Sequence, residues 1–299
     1  MEILNENLMK LKSDQGNYIV LEPVGDDNEI LPNIVNYLLG LRLSRKKDEN
    51  FENTFWSFRG QRDREWYLDI KHRFGENIND DTDFGKILTQ FKIRMSEFKE
   101  HEREITHLNE KNDWDWLFYA QHHRLCTRLL DWTSNPLVAV YFAVENIESQ
   151  WKGSGGHKGG AVWALQVNTD RFKDAQKLNV EYPRINPATS RYKDKDGMDM
   201  DKRLEEFEWL MITPPPITRR IARQSGKFTY HTGPANDLKR LDKLIKSDER
   251  LIRININEEN SDLIRQQLGI MNIHHASLFP SPTGVAEFVN QEWPKIGKY

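Results

Sequence analysis

The sequence predicts an α+β fold, because helical and strand patterns are interspersed along it without regular βαβ alternation. The 14 Phe, 9 Tyr and 9 Trp residues supply enough large rings for a buried core, which argues against a disordered chain. No repeat of 20–50 residues is visible, which argues against a solenoid or propeller. No linker rich in Pro, Gly or Ser divides the chain. We therefore expect one domain over residues 51–299, preceded by an N-terminal helical extension over residues 1–50.

The first half of the chain predicts three helices and one strand. Residues 28–43 predict an amphipathic helix, since apolar side chains recur there every three or four residues. The aromatic run Thr54–Gly60 has the residue types of a strand. Residues 84–108 then predict a long polar helix, and residues 113–124 a shorter one.

The second half predicts further short elements. Asn135-Pro136 is a favourable helix start, with Asn as the cap and Pro at the first helical position. Residues 169–212 predict a mixture of loop and helix that ends sharply at Pro214–Pro216. The remaining predictions are an extended segment at 127–133, a loop at 152–160, strands at 161–167, 226–231 and 251–256, and a helix at 259–268.

Composition points to a soluble protein of the cytoplasm. No apolar run approaches the roughly 18 residues that a membrane helix needs, and residues 1–20 are too polar for a secretory signal. The single cysteine, Cys126, excludes an intramolecular disulfide and a cysteine-cage metal site. A net charge of -3 excludes attraction of polyanions by bulk charge, although not by a local basic patch.

The metal-binding patterns in the sequence fail on spacing. His101 and His107 are six residues apart, so on a helix they would point to faces roughly 120° apart. The acidic residues between Asp194 and Asp201 do not match a calcium-binding loop. We therefore expect no metal-dependent chemistry.

A first candidate site segment is Phe58-Arg59-Gly60-Gln61. An arginine at a strand end can bind a phosphate, a carboxylate or a ribose through two parallel hydrogen bonds. The glycine after it permits close backbone approach by a ligand. The alternative interpretation is an Arg–acid bridge beside a turn.

A second candidate segment is Ala120–Glu145, in which polar side chains lie between two apolar helical patterns. Arg128 and Asp131 either pair with each other or face a ligand. Thr133 and Asn135 precede a helix whose first N–H groups could bind an anion, and plain capping by Asn135 is the alternative. The polar residues of this segment are Gln121, His122, Thr127, Arg128, Asp131, Trp132, Thr133 and Asn135.

A third candidate segment is Arg219–His231, with four cationic residues before or within a predicted strand. Gln224 and Gly226 mark a local break there. The run is either a solvated face or a basic rim that receives a polyanionic substrate, with Gln224 directed into the site. The cations are Arg219, Arg220, Arg223 and Lys227.

These segments, together with Leu278-Phe279-Pro280, resemble the FRG domain in identity and in order. The resemblance spans roughly residues 50–290 and is most specific in AQHHRLCTRLLDWTSNPLVAVYFAVE. The chain departs from the family pattern at Arg124, where Gly is usual, and at Cys126, where Pro is usual. Both are predicted to lie in a loop.

The resemblance implies an ADP-ribosyltransferase-like split β-sheet and NAD as co-substrate, without a metal. Arg59 would hold the NAD, Thr133 with Tyr141 would shape the nicotinamide pocket, and Gln224 would complete the site. Asp131 and His122 are the titratable groups that could act as a base. The implied NAD contacts are Arg59, Gly60, Gln61, Thr127, Arg128, Thr133, Asn135 and Tyr141, and the implied substrate contacts are Arg219, Arg220, Arg223 and Lys227.

The implied activity is ADP-ribosylation of a nucleic acid, RNA rather than DNA, by a toxin of a toxin–antitoxin or phage-defence system. An antitoxin or chaperone would then be a protein partner, and no membrane is involved. Two alternatives remain open at this point. One is a non-catalytic module that binds RNA or a partner protein, and the other is an NAD glycohydrolase with water as acceptor.

Overall fold

The α+β class is confirmed by a computed structural model, which describes residues 5–43, 54–70, 81–97, 108, 113–145, 158–168, 172–174, 208–231, 239–246 and 249–296. The helices are α1 (Asp27–Leu43), α2 (Asp81–Ser96), α3 (Asp113–His122), α4 (Pro136–Val144), α5 (Arg219–Arg223), α6 (Leu241–Leu244), α7 (Glu258–Ile270), α8 (His275–Leu278) and α9 (Pro282–Ile296). The strands are β1 (Met9–Asp14), β2 (Ile19–Pro23), β3 (Thr54–Gln61), β4 (Leu129–Thr133), β5 (Gly160–Asn168), β6 (Phe172–Asp174), β7 (Trp209–Thr213), β8 (Gly226–His231) and β9 (Leu251–Ile256).

The described strands form one mixed sheet in the order β1-β2-β9-β5-β3-β4-β8-β7-β6. The pairs β2–β9 and β6–β7 are parallel, and the other neighbours are antiparallel. Strands β3 and β4 share a single residue pair, Phe58 with Thr133, whereas β3 and β5 share eight. The sheet is therefore almost divided between β3 and β4, into a five-strand half and a four-strand half.

Side-chain alternation along the strands distributes three apolar clusters over the two faces of the sheet. One face carries a single cluster that runs across both halves, with Trp163 of β5, Trp132 of β4 and Trp209 of β7. On the other face, α1, α4 and α7 pack on the five-strand half as the first helical cluster. Helices α2 and α3 pack on the four-strand half as the second helical cluster. The boundary between the helical clusters follows the break between β3 and β4.

Most of the elements predicted from sequence lie close to their expected positions. Helix α1 and strands β3, β5, β8 and β9 agree with prediction within a residue or two at each end. The long polar helix predicted over 84–108 begins earlier, at Asp81, and ends at Ser96. Residues 152–157 of the predicted loop fall outside the described residues, and so do residues 169–171 and 175–207 of the segment predicted as loop and helix. Strand β7 lies where the sequence predicts loop and helix, so that prediction is wrong there.

The N-terminal segment is not purely helical. It contains the predicted helix, α1, and also β1 and β2, which the sequence analysis missed. Strand β2 pairs in parallel with β9, so the sheet continues into the segment that was predicted to be a separate extension. The boundary at residue 50 stays a prediction. Within the described part of the chain, no helix combines the length and apolarity needed to cross a membrane.

Candidate functional site

The break in the sheet is bridged by Arg59, which follows the last β3–β4 pair directly. Its Nη1 donates to the backbone carbonyl of Asp131 at 2.6 Å and lies 3.7 Å from the Asp131 carboxylate. The Arg59 side chain is 11% exposed and the Asp131 side chain 53% exposed. An Arg–acid bridge, one of the two interpretations of this motif, is therefore present, and it lies within the sheet rather than beside a turn.

The glycine of the Phe-Arg-Gly motif lets helix α4 lie directly on β3. A Cβ added at Gly60 would stand 2.0 Å from the carbonyl oxygen of Ala139, and one at Gly160 would stand 1.9 Å from that of Ala143. Real Cβ atoms do not come that close to backbone atoms. In the structure the close approach at Gly60 is made by a helix, and contact of Gly60 with NAD stays a prediction.

The turn from β4 into α4 is fixed by side-chain caps. Asn135 Oδ1 accepts from the N–H of Leu137 at 3.0 Å, so capping is the role that the structure shows for this residue. Thr133 Oγ1 accepts from the N–H of Asn135 at 3.0 Å and donates to the carbonyl of Gln224 at 2.6 Å. The Thr133 hydroxyl thereby joins β4 to the segment between α5 and β8.

Above the break, polar side chains separate the two helical clusters, and we call this group the polar seam. One side of the polar seam begins at Asp131, whose two carboxylate oxygens each accept from Gln121 Nε2 at 3.0 Å. Gln121 Oε1 in turn accepts from the hydroxyl of Thr127 at 2.5 Å. This chain of bonds fixes the position of the half-exposed Asp131 carboxylate. The polar seam comprises Gln121, His122, Asp131, Thr133, Tyr141, Glu145, Arg220, Gln224, His275 and Phe279, with Arg59 at its base.

His122 and Arg220 continue this side of the polar seam. The carbonyl of His122 accepts from Arg220 Nη1 at 2.8 Å, and its Nδ1 lies 2.9 Å from the hydroxyl of Thr218. Burial lowers the pKa of His122 to about 3, and the positive charges of Arg220 and His123 act in the same direction. His122 is consequently neutral near pH 7 and a weak base.

The other side of the polar seam is centred on His275, at the start of α8. Its Nδ1 lies 3.2 Å from the hydroxyl of Tyr141 and 3.5 Å from Glu145 Oε1, and its Nε2 lies 2.8 Å from Glu287 Oε2 of α9. Burial opposes the charged imidazole, but hydrogen bonds and charges from the two glutamates outweigh it and raise the pKa of His275. Burial, reinforced by Glu145, also raises the pKa of Tyr141.

Phe279 links the two sides of the polar seam. The imidazole of His275 stacks on its ring with centroids 4.3 Å apart, and the Arg220 guanidinium lies 4.4 Å from the same ring centroid. Arg220 is also under the influence of the carboxylates of Asp131 and Glu145, which raise its pKa, while burial, the larger effect, lowers it. Arg220 therefore lies between the acidic groups of the two sides.

The sequence analysis missed Glu145, His275 and Glu287. Glu145 ends the block that resembles the family, but its position at the C-terminal end of an apolar helix gave no reason to select it. His275 belongs to no motif of the sequence, and Tyr141 and Glu145, which face it, lie 134 and 130 positions earlier in the chain. Glu287 lies on α9, a helix that was not predicted.

Gln224, which was expected to mark a local break, forms the C-terminal cap of α5, before β8. Its side-chain amide donates to the carbonyl of Leu278 at 3.1 Å, within the Leu-Phe-Pro motif. Thr133 and Gln224 are thus in direct contact, and Phe58, the residue before Arg59, pairs with Thr133. The structure brings these three predicted positions to the same end of the break.

Three residues predicted to contact NAD lie in the interior. The Gln61 amide is bonded to Trp163 and to the carbonyl of Tyr67, Arg128 is fully buried, and Thr127 is bonded to Gln121. Direct contact with a ligand would require these groups to move. Thr127 supports the polar seam through Gln121, whereas Gln61 and Arg128 bond to residues outside it. A role of these three residues in binding NAD stays a prediction.

The predicted basic rim is not one surface. Arg219 and Arg223 are exposed, whereas Arg220 points into the polar seam. Lys227 lies on the opposite face of the sheet, since Phe228 next to it belongs to the second helical cluster. There it covers the ring of Phe55 at 4.2 Å, and burial, with the nearby charge of Arg42, lowers its pKa to about 8. The expectation of a four-cation rim is therefore corrected.

Comparison with known proteins supports the motif analysis. Residues 54–152 match the family model of the FRG domain, a range that contains β3, β4, α4 and Glu145. No curated protein and no solved structure matches the chain significantly. The resemblance to the FRG domain is thereby confirmed for residues 54–152, about a third of the chain.

Proposed function

We propose that this protein is an NAD-dependent ADP-ribosyltransferase that modifies a nucleic acid, RNA rather than DNA. The observation that carries the proposal is the polar seam above the break in the sheet. There a guanidinium, Arg59, lies beside a half-exposed carboxylate, Asp131. A nearly split sheet also agrees with the fold that the FRG resemblance implies.

The polar seam contains the charges that cleavage of NAD requires. Breaking the bond between the ribose C1′ and the nicotinamide nitrogen develops positive charge on the ribose, and nicotinamide leaves with the bonding electron pair. The carboxylates of Asp131 and Glu145 are suited to stabilise that charge. The guanidinium groups of Arg59 and Arg220 are suited to bind the pyrophosphate.

The new bond forms between C1′ and a nitrogen of the acceptor base, which then loses a proton. Between the two predicted bases, the structure favours Asp131 over His122. Asp131 is half exposed, whereas the pKa of His122 is lowered to about 3 by burial. An amine or ring nitrogen of a nucleic-acid base needs little activation, so a weak base suffices.

The biological setting follows from the same resemblance. We place the protein among growth-arresting toxins or antiviral effectors, with an antitoxin or chaperone as its protein partner. Toxicity on expression in a host cell, abolished in the variants described next, is the result expected of such an effector.

The experiment is a transfer assay with labelled NAD and RNA, DNA or cell protein. Wild type should release nicotinamide and label RNA. Asp131→Asn, which keeps the shape of the side chain, should reduce the rate by a factor of roughly 100 or more. Arg59→Lys tests the guanidinium of the polar seam. Arg94→Lys on α2 makes the same change outside the polar seam and is its matched control. Absence of both nicotinamide release and label from folded wild-type protein would exclude the proposal.

A non-catalytic binding module is the second candidate. It is favoured by the number of internal hydrogen bonds within the polar seam, such as Asp131 with Gln121 and Thr133 with Gln224. In that case Asp131→Asn should change the melting temperature and leave no catalytic effect to measure. An NAD glycohydrolase would instead produce free ADP-ribose, which the same assay separates from attached ADP-ribose.

A further inference from the structure

Two chain segments meet at the C-terminal end of α3 and bring cationic side chains together outside the polar seam. His123 and Arg124 follow α3, and both are exposed. Helix α5 packs against them, because Arg220 Nη1 donates to the His122 carbonyl at 2.8 Å and Thr218 lies 2.9 Å from the His122 ring. Arg219 and Arg223 are one turn apart on α5 and are exposed. We call His123, Arg124, Arg219 and Arg223 the basic corner; Arg220, on the same helix as Arg219 and Arg223, belongs to the polar seam.

The charges of the three arginines of the basic corner are not neutralised by the described residues. Among the described residues, Arg124, Arg219 and Arg223 take part in no ion pair. After burial, the charge of Arg124 is a cause that lowers the pKa of Arg220, so the two guanidinium groups repel each other. Asp131 and Glu145 act on Arg220, and both belong to the polar seam. The outer cations are therefore available to an external anion.

Arg124 occupies a backbone position that favours glycine. Its φ is 65°, in the left-handed region. The N–H of Leu125 bonds to the carbonyl of Ala120 and that of Arg124 to the carbonyl of Gln121, the pattern of a Schellman motif with Arg124 at C′. A side chain other than glycine is disfavoured there, because its Cβ crowds the backbone in the left-handed region. The chain therefore carries a cation at a position where the backbone would be more stable without one.

We propose that the basic corner binds the phosphate backbone of single-stranded RNA. With a net charge of -3 the chain as a whole does not attract a polyanion, so binding must depend on a local cluster such as this one. The ring of His123 is exposed, and its centroid lies 4.4 Å from that of Tyr119 and 4.7 Å from that of His122. This ring offers a surface on which a base can stack. That this RNA is also the acceptor of ADP-ribose rests on the proposed function. Binding of the RNA does not require catalysis.

The test is the binding of a fluorescently labelled single-stranded RNA of about 20 nucleotides, measured by anisotropy without NAD at several salt concentrations. Arg219→Gln with Arg223→Gln should weaken binding tenfold or more and lower the salt slope by about 1.4, the value for two phosphate contacts on a single strand. Arg124→Gly should weaken binding about threefold to tenfold while the melting temperature stays the same or rises, so a folding defect cannot explain the loss.

Lys10→Gln with Lys12→Gln is the matched control, because it removes the same charge from β1 at the far edge of the sheet. Equal losses in this control and in Arg219→Gln with Arg223→Gln would overturn the inference, since bulk charge would then explain both. Wild-type affinity in the three basic-corner substitutions would also overturn it, as would full displacement of the RNA by NAD. RNA binding without label transfer would leave the basic corner in place and count against the proposed function alone.

Discussion

Gly60 is a position at which the fold leaves no room for a side chain. Ala139 and Ala143 of α4 pack on it so closely that an added Cβ would lie 2.0 Å from one backbone oxygen and 2.7 Å from one backbone nitrogen. We expect Gly60→Ala to lower the free energy of unfolding by about 3 kcal/mol or more, or to prevent folding, because α4 would have to move away from β3. Urea denaturation followed by circular dichroism measures the change.

Gly40→Ala is the matched control for this prediction. Gly40 lies inside α1, and a Cβ added there has no atom within 4 Å. The substitution should therefore be neutral or raise the free energy of unfolding by about 0.5–1 kcal/mol, since alanine favours a helix. Equal losses in the free energy of unfolding at the two positions would show that close packing of α4 on β3 is not the reason why Gly60 is needed.

At this scale, the sequence predicts residues whose chemistry is local. Asn135 was predicted as a cap because Asn before Pro at a helix start has a specific backbone geometry, and the structure has that cap. Glu145 was not predicted, because its significance depends on His275, 130 positions later in the chain. Arg59 was selected because it lies near the end of a predicted strand, and it does lie near the end of β3, but nothing local identified Asp131 as its partner.

His275 connects three helices and makes their association sensitive to pH. Tyr141 of α4 and Glu145, the residue that follows α4, both face it. Glu287 faces it from α9, and Phe279 stacks on its ring. Because the pKa of His275 is raised in the fold, the charged imidazole contributes stability below about pH 6.5. That contribution is lost as the pH rises through the folded-state pKa.

Glu287→Gln should therefore lower the pKa of His275 and destabilise the protein chiefly below pH 6.5. The loss should be at most about 1 kcal/mol, since the Glu287 side chain is 53% exposed and partly screened by solvent. Chemical shifts of the His275 ring and urea denaturation at pH 5.5 and 8.5 give the two readouts. A stability difference that grows toward pH 8.5 would contradict the assignment.

Elements were predictable where their own residues carry the pattern. Strands β5 and β9 are rich in Val, Ile, Leu or Trp, and α4 has both a cap and an apolar sequence. Strand β1 was missed because it lies at the sheet edge with mostly exposed side chains, so its sequence has little apolar content. Strand β7 was missed because a short apolar run looks the same in a buried strand and in a buried helix. Only its pairing with β6 and β8 identifies it as a strand.

The whole molecule has its N-terminal segment built into the central sheet. Strand β2 pairs with β9, and α1 buries Ile34 and Leu38 in the first helical cluster. We expect the chain from residue 51 onward, which corresponds to the predicted FRG domain alone, to lack a cooperative unfolding transition. Without the first 50 residues the edge of β9 and the apolar surface under α1 would be exposed.

Thermal unfolding of the shortened chain followed by circular dichroism checks this expectation, and addition of the separate 1–50 peptide is a rescue test. A sharp transition at the wild-type temperature would establish residues 51–299 as an independent domain, as the sequence analysis had it.

At this scale the sequence predicts the α+β class but not the break in the sheet. The break depends on the register of β3 with β4, which are about 70 residues apart in the chain.

The single β3–β4 pair has a consequence for how such a protein can evolve. Strands that separate give up ladder hydrogen bonds, and here the Arg59 side chain compensates in part by donating to the backbone carbonyl of Asp131 across the break. The contact between Arg59 and Asp131 would then hold the two halves of the sheet together, and the same two residues would bind a substrate. Mutations that retune specificity at this position should carry a cost in folding, so new specificities would have to arise alongside compensating changes elsewhere in the sheet.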